Sequence, residues 1–162
     1  MIFDKADIND IPELVQLRLN YLAEDHEGLS AEETERISAM LPDYFMRRLN
    51  NELFVYTARN NDRIISCCFL LVTEKPANPD FLNGLTGTVL NVYTEKLFRR
   101  QGIAGSLIKA MLKDAEDMGL DFVELKATED GYPLYRKLGF SDAVSRYHSM
   151  KYIFKENFNE HF

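Results

Sequence analysis

Hydrophobic positions along this chain fall into two periods that alternate from segment to segment. Apolar residues spaced three or four apart mark helices, and apolar residues at every second position mark strands. Residues 2–5 read as a first short strand. Asp10 then reads as a helix N-cap, with Pro12 in the first turn and Glu13 at the capping-box position. Leu14, Val15, Leu17, Leu19 and Leu22 continue that helix, which is predicted to end within residues 23–28. Ser30 and Glu33 form a second capping-box signature. It opens a helical stretch toward Asn50 that Pro42 is expected to break or kink, because proline removes a helix hydrogen bond. Residues 53–58 and 63–72 are rich in β-formers and flank the turn Asn60-Asn61-Asp62, which predicts a hairpin.

A long loop over residues 73–84 contains Pro76, Pro79 and Gly84, and residues 85–94 form the next strand. Residues 102–118 are strongly amphipathic, with Ala104, Leu107, Ile108, Met111, Leu112 and Ala115 on one face and Gly119 as the stop. A strand over 121–127, a short helix over 133–138 ending at Gly139, and a final pair of strands or one bent strand over 140–154 complete the order. Alternating strands and helices predict a mixed α/β fold. The 162 residues, with no repeat or long polar linker, predict one domain over 1–162.

Composition narrows the function. With 19 basic against 26 acidic residues the net charge is -7, which disfavours nucleic acid and anionic lipid as partners and mildly favours cationic ones. No apolar run reaches the roughly 18 residues of a membrane helix, and the start has no signal-peptide pattern, so a cytoplasmic address is expected. Cys67 and Cys68 are adjacent and point to opposite faces of a strand, so they read as small buried hydrophobes of a reducing compartment. His148 and His161 are isolated, and no metal site is expected.

The informative segment is residues 91–106, Asn-Val-Tyr-Thr-Glu-Lys-Leu-Phe-Arg-Arg-Gln-Gly-Ile-Ala-Gly-Ser. A strand ends near Thr94, a short basic loop follows, and a helix opens at Gly102. The free N–H groups and dipole of a helix start favour an anion. Gly102, Ala104 and Gly105 let a phosphate approach the backbone, while Arg99 and Arg100 add charge. This is a pyrophosphate cradle. It is neither a Walker loop nor G-x-G-x-x-G. Read alone, it is also an ordinary glycine-tolerant helix start or a nucleotide-phosphate site.

Arg99-Arg100-Gln101-Gly102-Ile103-Ala104 resembles motif A of the GNAT N-acetyltransferase superfamily, Arg/Gln-x-x-Gly-x-Gly/Ala, at every defined position. Downstream, Tyr135 followed by Leu138-Gly139-Phe140 is similar to the family's motif B. Two departures are a lysine, Lys96, where many members carry proline, and Thr128 where many carry asparagine. The resemblance is carried by motifs over residues 89–140 and elsewhere by element order alone.

The resemblance implies a mixed, mostly antiparallel central sheet flanked by helices, with strands splayed at an acetyl-CoA site. It implies that Val92, Tyr93 and Thr94 take the pantetheine arm and thioester. It further implies that Arg99, Arg100, Gln101, Gly102, Ile103, Ala104, Gly105 and Ser106 take the pyrophosphate, and that Thr128 contacts the pantetheine side. The implied reaction is direct attack of an amine on the thioester, with a strand-end amide as oxyanion donor and Tyr135 protonating the leaving sulfur. The base is undetermined among Glu24, Asp25, His26, Glu27, Tyr93, Glu95 and water. The acceptor is expected to be a cationic primary amine, on a small molecule or a peptide. Its cleft is expected between residues 21–29 (Glu24, Asp25, Glu27) and 73–84 (Glu74, Asp80). A homodimer, and a CoA-binding sensor without catalysis, remain open.

Overall fold

Strand order along the single sheet follows the sequence, β1-β2-β3-β4-β5, in a computed structural model that describes residues 1–154. The strands are β1 (Ile2–Lys5), β2 (Leu53–Asn60), β3 (Arg63–Glu74), β4 (Leu85–Thr94) and β5 (Phe122–Glu124). The first three pairings are antiparallel and β4 pairs with β5 in parallel. A parallel neighbour needs a crossover, and α3 (Ile103–Asp117) supplies it. The remaining helices are α1 (Ile11–Asp25), α2 (Ala31–Arg48) and α4 (Tyr132–Lys137). The fold class is the expected one: a mixed, mostly antiparallel sheet between helices.

Successive strand residues point to opposite faces, and here both faces are covered. Val55, Cys67, Phe69 and Tyr93 pack on one side with Leu14 and Leu17 of α1 and Phe45 of α2. Tyr56, Cys68, Leu70 and Val89 pack on the other with Leu107, Ile108 and Met111 of α3. That is why the centres of β2 and β3 are apolar at nearly every position. The adjacent cysteines sit in different cores, both unpaired, and burial raises both thiols, Cys67 to about 12. Neither is a nucleophile at neutral pH.

Gly87 sits where β4 is closely packed. A Cβ there would lie 2.8 Å from Leu70 Cδ1, 3.1 Å from Leu120 Cδ1 and 3.3 Å from Val123 Cγ2. Gly87→Ala is expected to cost about 1–3 kcal/mol of stability by overpacking. A urea midpoint equal to that of the parent would contradict this.

Three local expectations are corrected. The first capping box lies three residues upstream: the Asp7 side chain accepts from Asn9 N at 2.8 Å and that of Asp10 accepts from Asp7 N at 2.9 Å. A short 3-10 turn, Ile8–Asp10, precedes α1, and Glu13 instead accepts the Ile64 amide of β3 at 2.8 Å. Pro42 does not break α2. Leu41, Tyr44, Phe45 and Leu49, on both sides of the proline, pack against one core. Burying them outweighs the roughly 3 kcal/mol that an internal proline costs. Residues 140–154 form no strand, and Val144, Tyr147, Met150, Tyr152 and Phe154 are exposed. A β-like composition makes a strand only with a paired edge and a face to cover, and residues 141–154 have no buried face. His161 lies outside the described residues.

Candidate active site

The site grows from the way β4 leaves its neighbour. β4 pairs with β5 only from Thr86↔Phe122 to Thr88↔Glu124. Beyond Thr88 its β3-facing edge stays paired, while the other edge has no strand partner among the described residues. A bulge marks the departure: Leu70 pairs with Val89 and Phe69 with Asn91, leaving Leu90 over. Bulges bend a strand and re-aim its side chains. The C-terminal end of β4 is fixed by β3, since the Ser66 hydroxyl donates to Tyr93 O at 2.9 Å and lies 2.7 Å from the Thr94 hydroxyl.

The chain then turns through two left-handed residues, Arg100 (φ 65°) and Gly102 (φ 78°), into α3. The first bond of that helix is Ser106 N to Gly102 O at 3.1 Å. The amides of Ile103, Ala104 and Gly105 therefore precede it and project from the helix start. Opposite them runs the stretch before α4, where Gly131 N donates to the Thr128 hydroxyl at 3.1 Å.

These pieces enclose a cavity of about 530 Å³. Val92, Tyr93 and Thr94 form one wall; Arg99, Arg100, Gly102, Ile103, Ala104 and Gly105 form the second; Thr128, Asp130, Gly131 and Leu134 form the third. Tyr21, Glu24 and Asp25 close it from α1. Gln101 and Ser106 do not line it: each turns back on its own chain, Gln101 Nε2 to Leu97 O and Ser106 Oγ to Gly102 O. Phe98, Asp130, Gly131 and Leu134 line it without having been singled out, and only their nearness to the motifs marks them in the sequence.

The charges are arranged unequally. Arg99 donates through Nε to Thr94 O at 2.7 Å and through Nη2 to both Glu24 oxygens at 2.8 Å. It also lies over the Tyr93 ring at 5.6 Å. Arg99 thus clamps the end of α1 to the end of β4. Arg100 lines the same cavity with no side-chain partner among the described residues. Glu24 is paired with Arg99 and Glu95 with Arg63. Asp25 lies 3.6 Å from the imidazole of His26.

Tyr135 is beside the lining, its ring next to Gly131, where an added Cβ would lie 3.0 Å from Tyr135 Cε2. Its ring packs edge-on against Phe140 at 5.8 Å. Its hydroxyl has no partner among the described residues, and no buried polar side-chain atom there lacks one, so solvent touches it. Burial pushes the phenol up to about 12.

The second expected wall is elsewhere. Residues 73–84 precede β4, whereas the cavity lies at its far end, about 30 Å away along a ten-residue strand. Asn83 anchors that loop instead to Gly119 O and Asp121 Oδ2, both at 2.9 Å. Among the described residues no cluster of His, Cys, Asp and Glu could hold a metal, and no helix is long and apolar enough to cross a membrane.

Known proteins share this architecture. A protein described as a predicted acetyltransferase from Clostridium acetobutylicum, solved with acetyl-CoA, is 28% identical with a TM-score of 0.81, over 93% of this chain and 95% of that one. A GCN5-related N-acetyltransferase from Ralstonia eutropha is 25% identical with a TM-score of 0.73, over 92% and 97%. An aminoglycoside acetyltransferase from an uncultured soil metagenomic sample, 22% identical with a TM-score of 0.63 over 93% and 96%, shares the fold alone. No curated protein matches the chain in sequence. The model of the acetyltransferase (GNAT) family matches residues 15–140, most of the chain, and the protein therefore belongs to the GNAT family of acetyltransferases.

Proposed function

We propose that residues 1–162 form one domain that transfers the acetyl group of acetyl-CoA to the primary amine of a small molecule or peptide by direct attack. The observation that carries this reading is the cavity in which the unpaired edge of β4, the first amides of α3 and the Thr128–Gly131 stretch converge. Free amides and the unpaired Arg100 suit a pyrophosphate, and Gly102 leaves the approach open, since a Cβ there would meet nothing within 4 Å. The bare edge at Val92, Tyr93 and Thr94 suits an extended amide-bearing arm and an oxyanion. Asp25 stands at the wall where a protonated amine arrives, and water takes its proton. Tyr135, kept protonated by burial, supplies a proton to the departing thiolate. The buried free thiols suit a reducing compartment such as the cytoplasm.

Incubation with acetyl-CoA and a panel of amines should release free CoA thiol with at least one of them. Protection against thermal unfolding by CoA, but not ATP, is expected in parallel. Binding without thiol release for any amine would leave a CoA sensor in place of an enzyme.

A further inference from the structure

A second cavity, of about 570 Å³, opens on the α1–α2 face of the sheet. Met40, Leu41, Phe45, Phe69 and Leu90 make it largely apolar. Three of its residues are charged, and two cancel: Arg47 Nε bonds Asp43 Oδ2 at 2.8 Å. The third, Arg18, makes no ion pair with the described residues, and the one carboxylate acting on it from a distance is Asp25 on the same helix. Nη1 donates to Asn91 Oδ1 at 3.0 Å and to Leu90 O at 3.4 Å, both neutral acceptors. Nε and Nη2 make no hydrogen bond to the described residues. A half-buried guanidinium needs an anion to offset its lost hydration, and its planar fork matches a carboxylate. In a chain of net charge -7, an apolar hollow with one positive charge held in no ion pair favours a ligand of opposite sign.

Arg18 links the linings of the two cavities. Its guanidinium lies 5.4 Å from the centre of the Tyr21 ring, and Tyr21 lines the first cavity. Leu90 of the second cavity and Val92 of the first are two residues apart on β4, across the bulge. Asn91 lies between them, fully buried, and holds Arg18 in place as a positioning residue. A ligand whose carboxylate sits on Arg18 and whose apolar part fills the hollow carries its α-substituent toward the bare edge of β4.

We infer that the acceptor is an apolar α-amino acid, bound with its carboxylate on Arg18, its side chain against Phe45, Phe69 and Leu90, and its α-amine facing the first cavity. This inference rests on the proposed acetyl transfer. In the step, the neutral amine nitrogen bonds the acetyl carbon and the C–S bond breaks. The nitrogen loses one proton and the departing sulfur gains one, giving an N-acetylamino acid and CoA.

The test compares L-phenylalanine and L-methionine with phenylalaninamide and phenethylamine, reading thiol release at saturating acetyl-CoA. The free acids are expected to exceed the amide and the amine at least tenfold in kcat/KM, as a site left with an unpaired buried charge discriminates. Arg18→Met should abolish that preference with acetyl-CoA affinity unchanged, and Arg18→Lys should restore part of it. Equal turnover of phenethylamine and phenylalanine by the parent overturns the inference and needs no variant to fold. So does a peptide with a free N-terminus that outperforms both acids. If no amine releases thiol, the transfer reading itself fails. Calorimetry of L-phenylalanine on the acetyl-CoA-saturated parent and Arg18→Met proteins then decides the site alone. Binding by the parent lost in the variant upholds it, and absence of binding by the parent ends it.

Discussion

A Tyr135→Phe protein is expected to turn over about 10²-fold more slowly than the parent, roughly 2.7 kcal/mol of barrier, the scale of a positioned general acid. Its affinity for acetyl-CoA should change little, because only the hydroxyl is removed and the ring contact with Phe140 survives the substitution. Stability should move little as well, since the hydroxyl makes no hydrogen bond to the described residues that could be lost. The pH profile provides an independent readout. Burial raises the phenol to about 12, so it keeps its proton well past its ordinary range. The parent should therefore rise with pH as the amine becomes neutral, with no falling limb below about pH 11 from this residue. Parental turnover in the phenylalanine variant would make Tyr135 a packing residue and assign sulfur protonation to water.

The second large effect is expected at Gly102. Two consequences of adding a side chain there separate cleanly. Its φ of 78° is one that L-residues adopt at a cost of about 1–2 kcal/mol, which lowers the stability of the free protein by that amount. The Cβ itself meets no atom within 4 Å, so the fold has room for it and the variant should remain folded. Gly102 also lines the cavity, where a longer side chain would compete with the ligand. Gly102→Leu is therefore expected to weaken acetyl-CoA binding at least tenfold, about 1.4 kcal/mol, in a protein that still unfolds cooperatively. Calorimetry on the folded variant checks it, and an unchanged dissociation constant would falsify the cradle.

Several features were legible along the chain because they depend on residues close in sequence. The Ser30–Glu33 box, the amphipathic helix and its Gly119 stop, and the hairpin at Asn61 and Asp62 with their positive φ all appear where local pattern places them. The segment from strand end to helix start at residues 91–106 is of the same kind: glycines, small residues and arginines within a few positions. So most of the residues named for it line one cavity.

What only the tertiary structure decided involves partners distant in sequence. Pro42 stays helical because residues on both sides of it pack against one core, and residues 140–154 form no strand because no strand among the described residues pairs with them. The loop 73–84 is excluded from the site by the length of β4. Glu24, legible only as an acid near a helix end, is bound to Arg99, 75 residues away. Arg18 shows most clearly why sequence alone falls short. Nothing in the sequence around Arg18 or Asn91 sets either residue apart. Their bond spans 73 residues. Whether a charge is solvated, paired or left uncompensated depends on what folding brings beside it, and local periodicity carries no record of that.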